Sequence, residues 1–537
     1  MRIVLLLLVS LHIGLLQADD TTYMFRLLLK DKGESHYSIN NPQKFLSEKA
    51  IERRVRQGIA IDSTDLPIDT SYISRIQKTG VEIVAQSKWV KTITVSTQDS
   101  LDANRLQALP FVDTLQLVWR MAIAPLTESN APNDTLIVPT DLALNAYGAA
   151  FSQIAKHNGQ LLHEAGFKGA GITIAVFDGG FRNADFVDAL NQEQILGAHA
   201  FSHQRINPYR SSSDHGTRVL SCMLSNKKQA MIGTAPEASY HLFWTEVDNA
   251  EFPVEEDYWI TALEYADSIG VDIATTSLGY TLFPALPEMN HRHEELDGNT
   301  VLMSRAATMA AEKGILVLNS AGNDGNTAWQ RISIPSDAEK ILTVGSIDIN
   351  GELSAFTPSG PTADNRIKPD IMSVGTDASI ISANGQLIKG RGTSFSTPIM
   401  TGLSACLWQA FPELTNLELL ELIKQSSSRY NTPDAFYGYG VPDFFEAYER
   451  GQISSPLVKH EARDSTIRHI GSYLLVDIEL NISTPYKLTI YNSIGKETER
   501  ITPLLYASVD VGHLLPGVYI ALLEGNGTHH TCKFIVR

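Results

Sequence analysis

The chain has 537 residues, 43% of them hydrophobic and 19% charged, a balance that supports several folded domains and excludes a disordered polypeptide. With 60 acidic against 43 basic residues the net charge is −17, which favours solubility and leaves no electrostatic basis for gripping a phosphate backbone, so nucleic acid is excluded as a partner. The cysteines Cys222, Cys406 and Cys532 are far apart, so at most one bridge can form and no Cys-x-x-Cys metal spacing exists.

At the start, Arg2 precedes the apolar run 3–16, and Gln17-Ala18 offers a small residue before Asp19-Asp20. This is the pattern of a signal peptide, assigned to residues 1–18. The run is short for a membrane span, and nothing later gives about 18 uninterrupted apolar residues, so the mature form is expected to carry no transmembrane segment. Residues 19–124 alternate strand-like runs (23–29, 81–85, 91–97) with charged amphipathic stretches such as 42–56, which predicts a small α+β unit. Residues 125–146, rich in Pro, Asn, Ser and Thr over 125–139, read as an exposed linker open to proteolysis.

From 147 to 452 the pattern changes to short apolar runs (172–177, 271–276, 315–320, 341–347) separated by helical patterns, notably 259–268 and 301–313. Strand-helix alternation of this kind predicts an α/β domain, a doubly wound and mostly parallel sheet covered on both faces. Its chemistry should gather beyond the carboxyl ends of the strands. Cys222 and Cys406 lie among apolar residues at helical spacing and read as small buried hydrophobes. Residues 458–537 show short alternating strands (473–480, 486–491, 517–523, 531–536) between turn signals, which predicts a β-sandwich.

Three signals stand out in the α/β region. Asp178-Gly179-Gly180 ends an apolar run in a glycine turn, where an Asp is either a backbone cap or a functional acid. Asp214-His215-Gly216-Thr217 opens a helical pattern just after His215, either a structural histidine or one with an accessible ring. Gly390-Arg391-Gly392-Thr393-Ser394-Phe395-Ser396-Thr397-Pro398 leads into the apolar helix 399–411, which places Ser394 at the helix start. There a serine is an ordinary N-cap, or a hydroxyl aimed where an oxygen turns negative during acyl transfer. The chain order Asp178, His215, Ser394 separates subtilisin from chymotrypsin and from the α/β-hydrolases.

With these elements the region resembles the subtilisin-like serine proteases: the Asp turn, His-Gly-Thr and Gly-Thr-Ser-x-x-x-Pro match the family's three signatures. The resemblance implies a secreted serine endopeptidase working through an acyl-enzyme, with Asp178, His215 and Ser394 as catalytic triad. Ser320-Ala321-Gly322-Asn323-Asp324 matches the family's oxyanion-hole asparagine, giving that role to Asn323. Thr276-Ser277-Leu278-Gly279 looks like the strand that pairs with an extended substrate. The resemblance thus implies a peptide site formed by Ser277, Leu278, Gly279, Ala321 and Gly322, with Gly279 and Gly322 leaving room for a side chain. Departures from the common pattern are Arg218 in place of a frequent second histidine, Gly180, and Phe395-Ser396-Thr397, where Phe395 could crowd the space behind Ser394. Phe436–Asp443 resembles the family's closing segment.

The flanks carry their own resemblances. Residues 19–124 resemble an amino-terminal propeptide that assists folding and inhibits the enzyme until cut, making the chain a zymogen. Tyr491–Lys496, Leu515–Ile520 and Lys533–Arg537 resemble the C-terminal sorting domain of type IX secretion. That implies passage through the periplasm to the exterior or outer-membrane surface of a Gram-negative bacterium, with the secretion machinery as a partner beside protein and peptide substrates. A carbohydrate- or matrix-binding sandwich is the alternative for this segment. A catalytically silent peptide-binding fold or surface adhesin is the alternative for the whole chain. No run resembles a calcium loop of alternating Asp and Asn ligands closed by Glu, so no metal and no required cofactor is assigned.

Overall fold

The computed structural model describes residues 21–122, 147–202, 207–248, 250–454, 467–470, 473–476, 486–493, 495–502, 508–525 and 528–536. The expected signal peptide and linker lie outside the described residues, as does the end of the strand expected over 473–480.

The amino-terminal unit is built from β1 (Thr21–Leu29), α1 (Glu48–Arg56), α2 (Thr70–Gln77), β2 (Glu82–Ser87), β3 (Thr92–Thr97), α3 (Asp102–Gln107) and β4 (Val112–Ala122). Its four strands form an antiparallel sheet in the order β2-β3-β1-β4, the α+β unit expected from the sequence. One apolar cluster, including Phe25, Leu27, Ile76 and Ile93, fills the space between sheet and helices.

The central domain continues with α4 (Phe151–Ala155), α5 (Gly159–Glu164), β5 (Thr173–Asp178), β6 (Ile195–Ala200), α6 (His215–Leu224), the short hairpin β7 (Asn226–Lys227) and β8 (Met231–Ile232), and β9 (Ser239–Trp244). Next come α7 (Val254–Ile269), β10 (Ile273–Thr276), α8 (Leu302–Glu312), β11 (Leu316–Ser320), β12 (Leu342–Ile347), β13 (Ile371–Val374) and the hairpin β14 (Thr376–Ile381) and β15 (Leu387–Arg391). Helices α9 (Thr393–Ala410), α10 (Asn416–Gln425) and α11 (Phe444–Ser454) close it. Seven strands form one sheet in the order β13-β12-β11-β10-β5-β9-β6, and every pairing in it is parallel.

Period-two alternation along β5 feeds both faces of that sheet. Ile174 and Val176 pack with Val219 and Leu220 of α6 and with Ile399 and Leu403 of α9. Ala175 and Phe177 pack with Trp259 and Ala262 of α7 and with Met303 and Ala307 of α8. A strand buried on both faces has to read as a continuous apolar run, which is how its sequence reads. Cys222 and Cys406 are buried in the first of these clusters.

At the carboxyl end, β16 (Ile467–Ile470), β17 (Tyr473–Val476), β18 (Lys487–Asn492), β19 (Glu497–Ile501), β20 (Ser508–Asp510), β21 (Gly517–Gly525) and β22 (Thr528–Val536) make two antiparallel sheets, β16-β17-β20 and β19-β18-β21-β22. Leu474 and Val509 of the first sheet meet Leu488, Ile490 and Ala521 of the second in a core of their own. Among the described residues, no helix is long and apolar enough to cross a membrane.

Candidate functional site

The carboxyl ends of the parallel strands bring the three singled-out residues to one region. Asp178 is the last residue of β5 and is fully buried. Its Oδ1 accepts the Gly179 N–H at 2.8 Å and lies 2.7 Å from His215 Nδ1, so this carboxylate is both a turn cap and the partner of the imidazole. The two readings of Asp178 in the sequence therefore coexist. His215 is the first residue of α6, one position earlier than the pattern predicts, with its side chain about one-third exposed. Burial acts to lower its pKa, but the charge of Asp178 and the hydrogen bond to it outweigh this, and the net shift is upward.

Glycine makes that pairing possible. The Gly216 N–H donates to the Gly180 carbonyl at 3.0 Å, laying the start of α6 directly on the Asp turn. A Cβ at Gly216 would stand 2.5 Å from that carbonyl oxygen and 2.7 Å from the Phe181 ring. Gly180 has φ +118°, and a Cβ there would meet Ser211 Oγ at 2.2 Å.

Ser394 lies in the first turn of α9, whose N-cap is Gly392 with φ +151°. The N-cap reading of Ser394 is thereby corrected: the backbone leaves extended geometry at Gly392, and Ser394 is the second helical residue. Its N–H is one of the four at a helix start that have no intrahelical acceptor. Pro398 has no N–H to give the Ser394 carbonyl four residues back, and Ser277 Oγ donates to that oxygen instead at 2.9 Å. In return Ser394 Oγ donates to the Ser277 carbonyl at 3.3 Å. No hydrogen bond joins Ser394 to His215 among the described residues, so the structure brings Asp178 to His215 but leaves the serine hydroxyl turned to the neighbouring strand extension. Phe395, expected as a source of crowding, is buried beneath His215 with ring centroids 6.0 Å apart.

Asn323 follows β11 and is exposed. Its Oδ1 accepts from the Thr393 N–H at 2.9 Å and from Thr393 Oγ1 at 3.1 Å. The backbone N–H on Oδ1 fixes the orientation of the amide, so its NH2 is the outward, donating end. That end and the Ser394 N–H belong to adjacent positions of one corner, because Thr393 is the residue Asn323 holds.

Ser277, Leu278 and Gly279 extend from β10, and Ala321 and Gly322 from β11. The Leu278 carbonyl accepts from Ser320 Oγ at 3.3 Å, tying the two extensions together. The space expected above Gly279 and Gly322 is occupied at its base by Ser333. A Cβ on Gly279 would lie 2.1 Å, and one on Gly322 3.0 Å, from Ser333 Oγ. Ser333 donates from its N–H to the Ala321 carbonyl at 3.0 Å. Nothing in the local sequence signals this residue, which is brought in by a distant loop.

A second group was not legible. Glu246, Glu251 and Glu255 place carboxylate oxygens within 4.8 Å of one another. Glu246 Cγ would stand 3.6 Å from a Cβ on Gly179, and its Oε1 accepts from Tyr280 Oη, so this cluster borders the Asp178 turn. Burial first, then repulsion from Glu251, raises Glu246 to about 8, and burial raises Glu251 to about 7. Burial and mutual repulsion both oppose full ionisation of the three carboxylates.

A family model described as the subtilase family matches residues 169–440. The chain belongs to the subtilase family. A model of the Bacteroidota propeptide domain of the same peptidases matches residues 24–134, covering the amino-terminal unit. The chain is 30% identical over 327 residues to serine protease AprX of Bacillus subtilis, covering 55% of this chain and 68% of that protein. It is 25% identical over 283 residues to subtilisin E of the same organism, covering 52% of this chain and 66% of that protein. The match therefore spans about two thirds of the length of these relatives. Among solved structures, the epidermin leader peptide processing serine protease of Staphylococcus aureus shares the fold, with a TM-score of 0.55 at 16% identity over 81% of this chain and 99% of that one. The subtilase fold thus carries the all-parallel sheet, and the propeptide match carries the unit docked on it.

Proposed function

We propose that this subtilase is a secreted serine endopeptidase whose triad is Asp178, His215 and Ser394. The observation that carries the reading is the 2.7 Å contact between Asp178 Oδ1 and His215 Nδ1 at the carboxyl edge of the sheet, one helix start away from Ser394. Neutral His215 takes the Ser394 proton as Oγ attacks the peptide carbonyl carbon. The imidazolium then gives that proton to the departing amine as the C–N bond breaks, and water repeats the sequence on the acyl-enzyme. Asp178 orients the ring and stabilises its charge. The Asn323 NH2 and the Ser394 N–H receive the developing oxyanion, and 277–279 with 321–322 pair with the substrate backbone.

The silent-fold alternative rests on one observation, the Ser394 hydroxyl bonded to Ser277 rather than to His215. Catalytic hydrogen bonds without substrate are often long and tighten on binding, which favours the enzyme. Casein hydrolysis together with labelling by a serine-directed fluorophosphonate separates the two. Cleavage and a label lost in Ser394→Ala support the peptidase, whereas an unlabelled, inactive wild type sinks it.

The same reading extends to the flanks. Residues 19–124 act as the enzyme's own inhibitor before processing in 125–146. The sandwich 458–537 acts as the type IX sorting module, its Leu515–Ile520 segment carrying a Tyr519 hydroxyl that bonds the Leu515 carbonyl at 2.7 Å. Deleting 458–537 is expected to strand active enzyme in the periplasm of a Gram-negative host, and undiminished delivery outside the cell would refute the sorting role.

A further inference from the structure

The oxyanion donors proposed above, the Asn323 NH2 and the Ser394 N–H, fix where the carbonyl of the residue being cut must lie, and so where its side chain must hang. Gly322 precedes Asn323, and its carbonyl accepts from Thr393 Oγ1 at 2.9 Å. Gly279 lies two residues beyond Ser277, which bonds Ser394 in both directions. The two glycines are therefore the rims of the slot beside the reacting carbon. Both reach solvent, Gly279 exposed and Gly322 half-buried.

Two glycines alone would leave an open trench, but this one has a high floor. Ser333 is only 2% exposed and stands under both rims. A Cβ on Gly279 would lie 2.1 Å from Ser333 Oγ and 2.9 Å from its Cβ, and a Cβ on Gly322 would lie 3.0 Å and 3.4 Å from the same two atoms. A methyl-sized group at the level of either rim is thus already against the serine.

Ser333 has no room to retreat, because its segment is tied to both walls. Its N–H donates to the Ala321 carbonyl at 3.0 Å, and its Oγ donates to the same oxygen at 3.3 Å. On the other wall the Tyr280 N–H donates to the Ile334 carbonyl at 2.9 Å, and the Ile334 N–H returns a bond to the Tyr280 carbonyl at 3.1 Å. The Ser336 N–H closes a turn onto the Ser333 carbonyl at 2.8 Å. Ile332 and Ile334, on either side, are buried in the core shared with α7 and α8. A close-packed segment of this kind does not open cheaply to admit a long side chain. Ionised side chains gain nothing either, since the polar atoms at the bottom are the Ser333 hydroxyl and the Ala321 and Ile334 carbonyls, all uncharged.

We propose that Ser333 is a specificity-determining residue, which limits the side chain preceding the scissile bond to that of glycine, alanine or serine. The inference rests on the peptidase reading and deepens it to a class of substrate.

The experiment gives the purified protein tetrapeptide p-nitroanilides that differ only in the residue before the leaving group, with active sites counted by the fluorophosphonate label. Because a single methylene in a fitted pocket is worth about 10–200-fold, kcat/KM for alanine should exceed that for phenylalanine or lysine by about 100-fold or more. Ser333→Gly lowers the floor and should raise the ratio of phenylalanine to alanine by about tenfold or more. Ser333→Ala removes only the hydroxyl and should raise that ratio by about threefold. It is the variant to read if the glycine form takes no label. A labelled wild type that favours phenylalanine or leucine, or a ratio unmoved in the labelled variants, overturns the inference and leaves the peptidase reading standing. An unlabelled wild type that cleaves none of the series defeats the peptidase reading first, and this inference with it.

Discussion

His215 sits between two opposed influences, burial that disfavours its charged form and the Asp178 carboxylate that favours it, and the carboxylate prevails. Because attack needs the neutral imidazole, an upward shift moves the acid limb of kcat/KM above the ordinary histidine value of about 6.5, with activity rising as pH rises through it. Asp178→Asn removes the charge that raises this pKa, so the limb should move to lower pH while kcat falls about 10⁴-fold through loss of ring orientation. A pH-rate profile of both proteins checks the sign, and a limb that stays in place would mean that the Asp178 charge does not set the His215 pKa. For Asn323→Ala, loss of the outward amide should lower kcat about 10²–10³-fold with KM little changed, measured on a peptide substrate. Asp178, His215, Ser394 and Asn323 could be singled out as candidates because each lies in a short local signature. Ser333 and Glu246 were not, since each reaches the site through a spatial neighbour, Gly279 or Gly179, that no local pattern links to it.

Elements inherit their precision from the same balance of local and distant causes. The runs that became β5, β10, β11 and β12 are apolar throughout and could be read directly. The edge strand β6 and its neighbour β9 carry His199 and His241, which interrupt the apolar pattern, and both escaped prediction. The loop 280–299 was legible only as an insertion. In the fold it sends Leu286 into the core with Met24 and places His291 Nε2 2.6 Å from Glu256, the same residue that accepts from Arg26 at 3.2 Å. The start of α9 was read to within one residue, but its dependence on Ser277 follows from Pro398, which leaves the Ser394 carbonyl without a helical donor. Ser277→Ala should therefore strand a buried acceptor and cost about 1–3 kcal/mol in denaturant unfolding, with activity reduced as the Ser394 turn loosens. Gly216→Ala tests the other joint. Its Cβ would be forced against the Gly180 carbonyl and Phe181, so α6 must tilt away from the Asp turn. Activity should drop far more than stability, which thermal unfolding and kcat/KM measured on one sample will separate.

At the scale of the molecule, the three folded parts differ in how they share their cores. The peptidase sheet has an apolar cluster on each face, and the cluster beneath α7 and α8 also contains Trp89 and Val90 of the amino-terminal unit. The carboxyl-terminal sandwich instead closes around Leu474, Leu488, Ile490 and their neighbours, with none of the described residues of the peptidase domain in that core. Parts that share a core unfold together, whereas parts with separate cores unfold as independent units. Ending the chain before residue 458 should thus leave the main thermal transition of the Ser394→Ala protein within about 2 °C of its full-length value and remove a separate, smaller one. Starting it at residue 123 should have the opposite effect, because α7 and α8 lose the caps on their carboxyl ends and Asp257, Asp267 and Glu264 lose Arg26, Arg53, Arg54 and the 87–89 turn. Scanning calorimetry of the two truncations side by side is the check. Loss of the main transition on removing the sandwich, or its survival unshifted without the amino-terminal unit, would reverse this division of the fold.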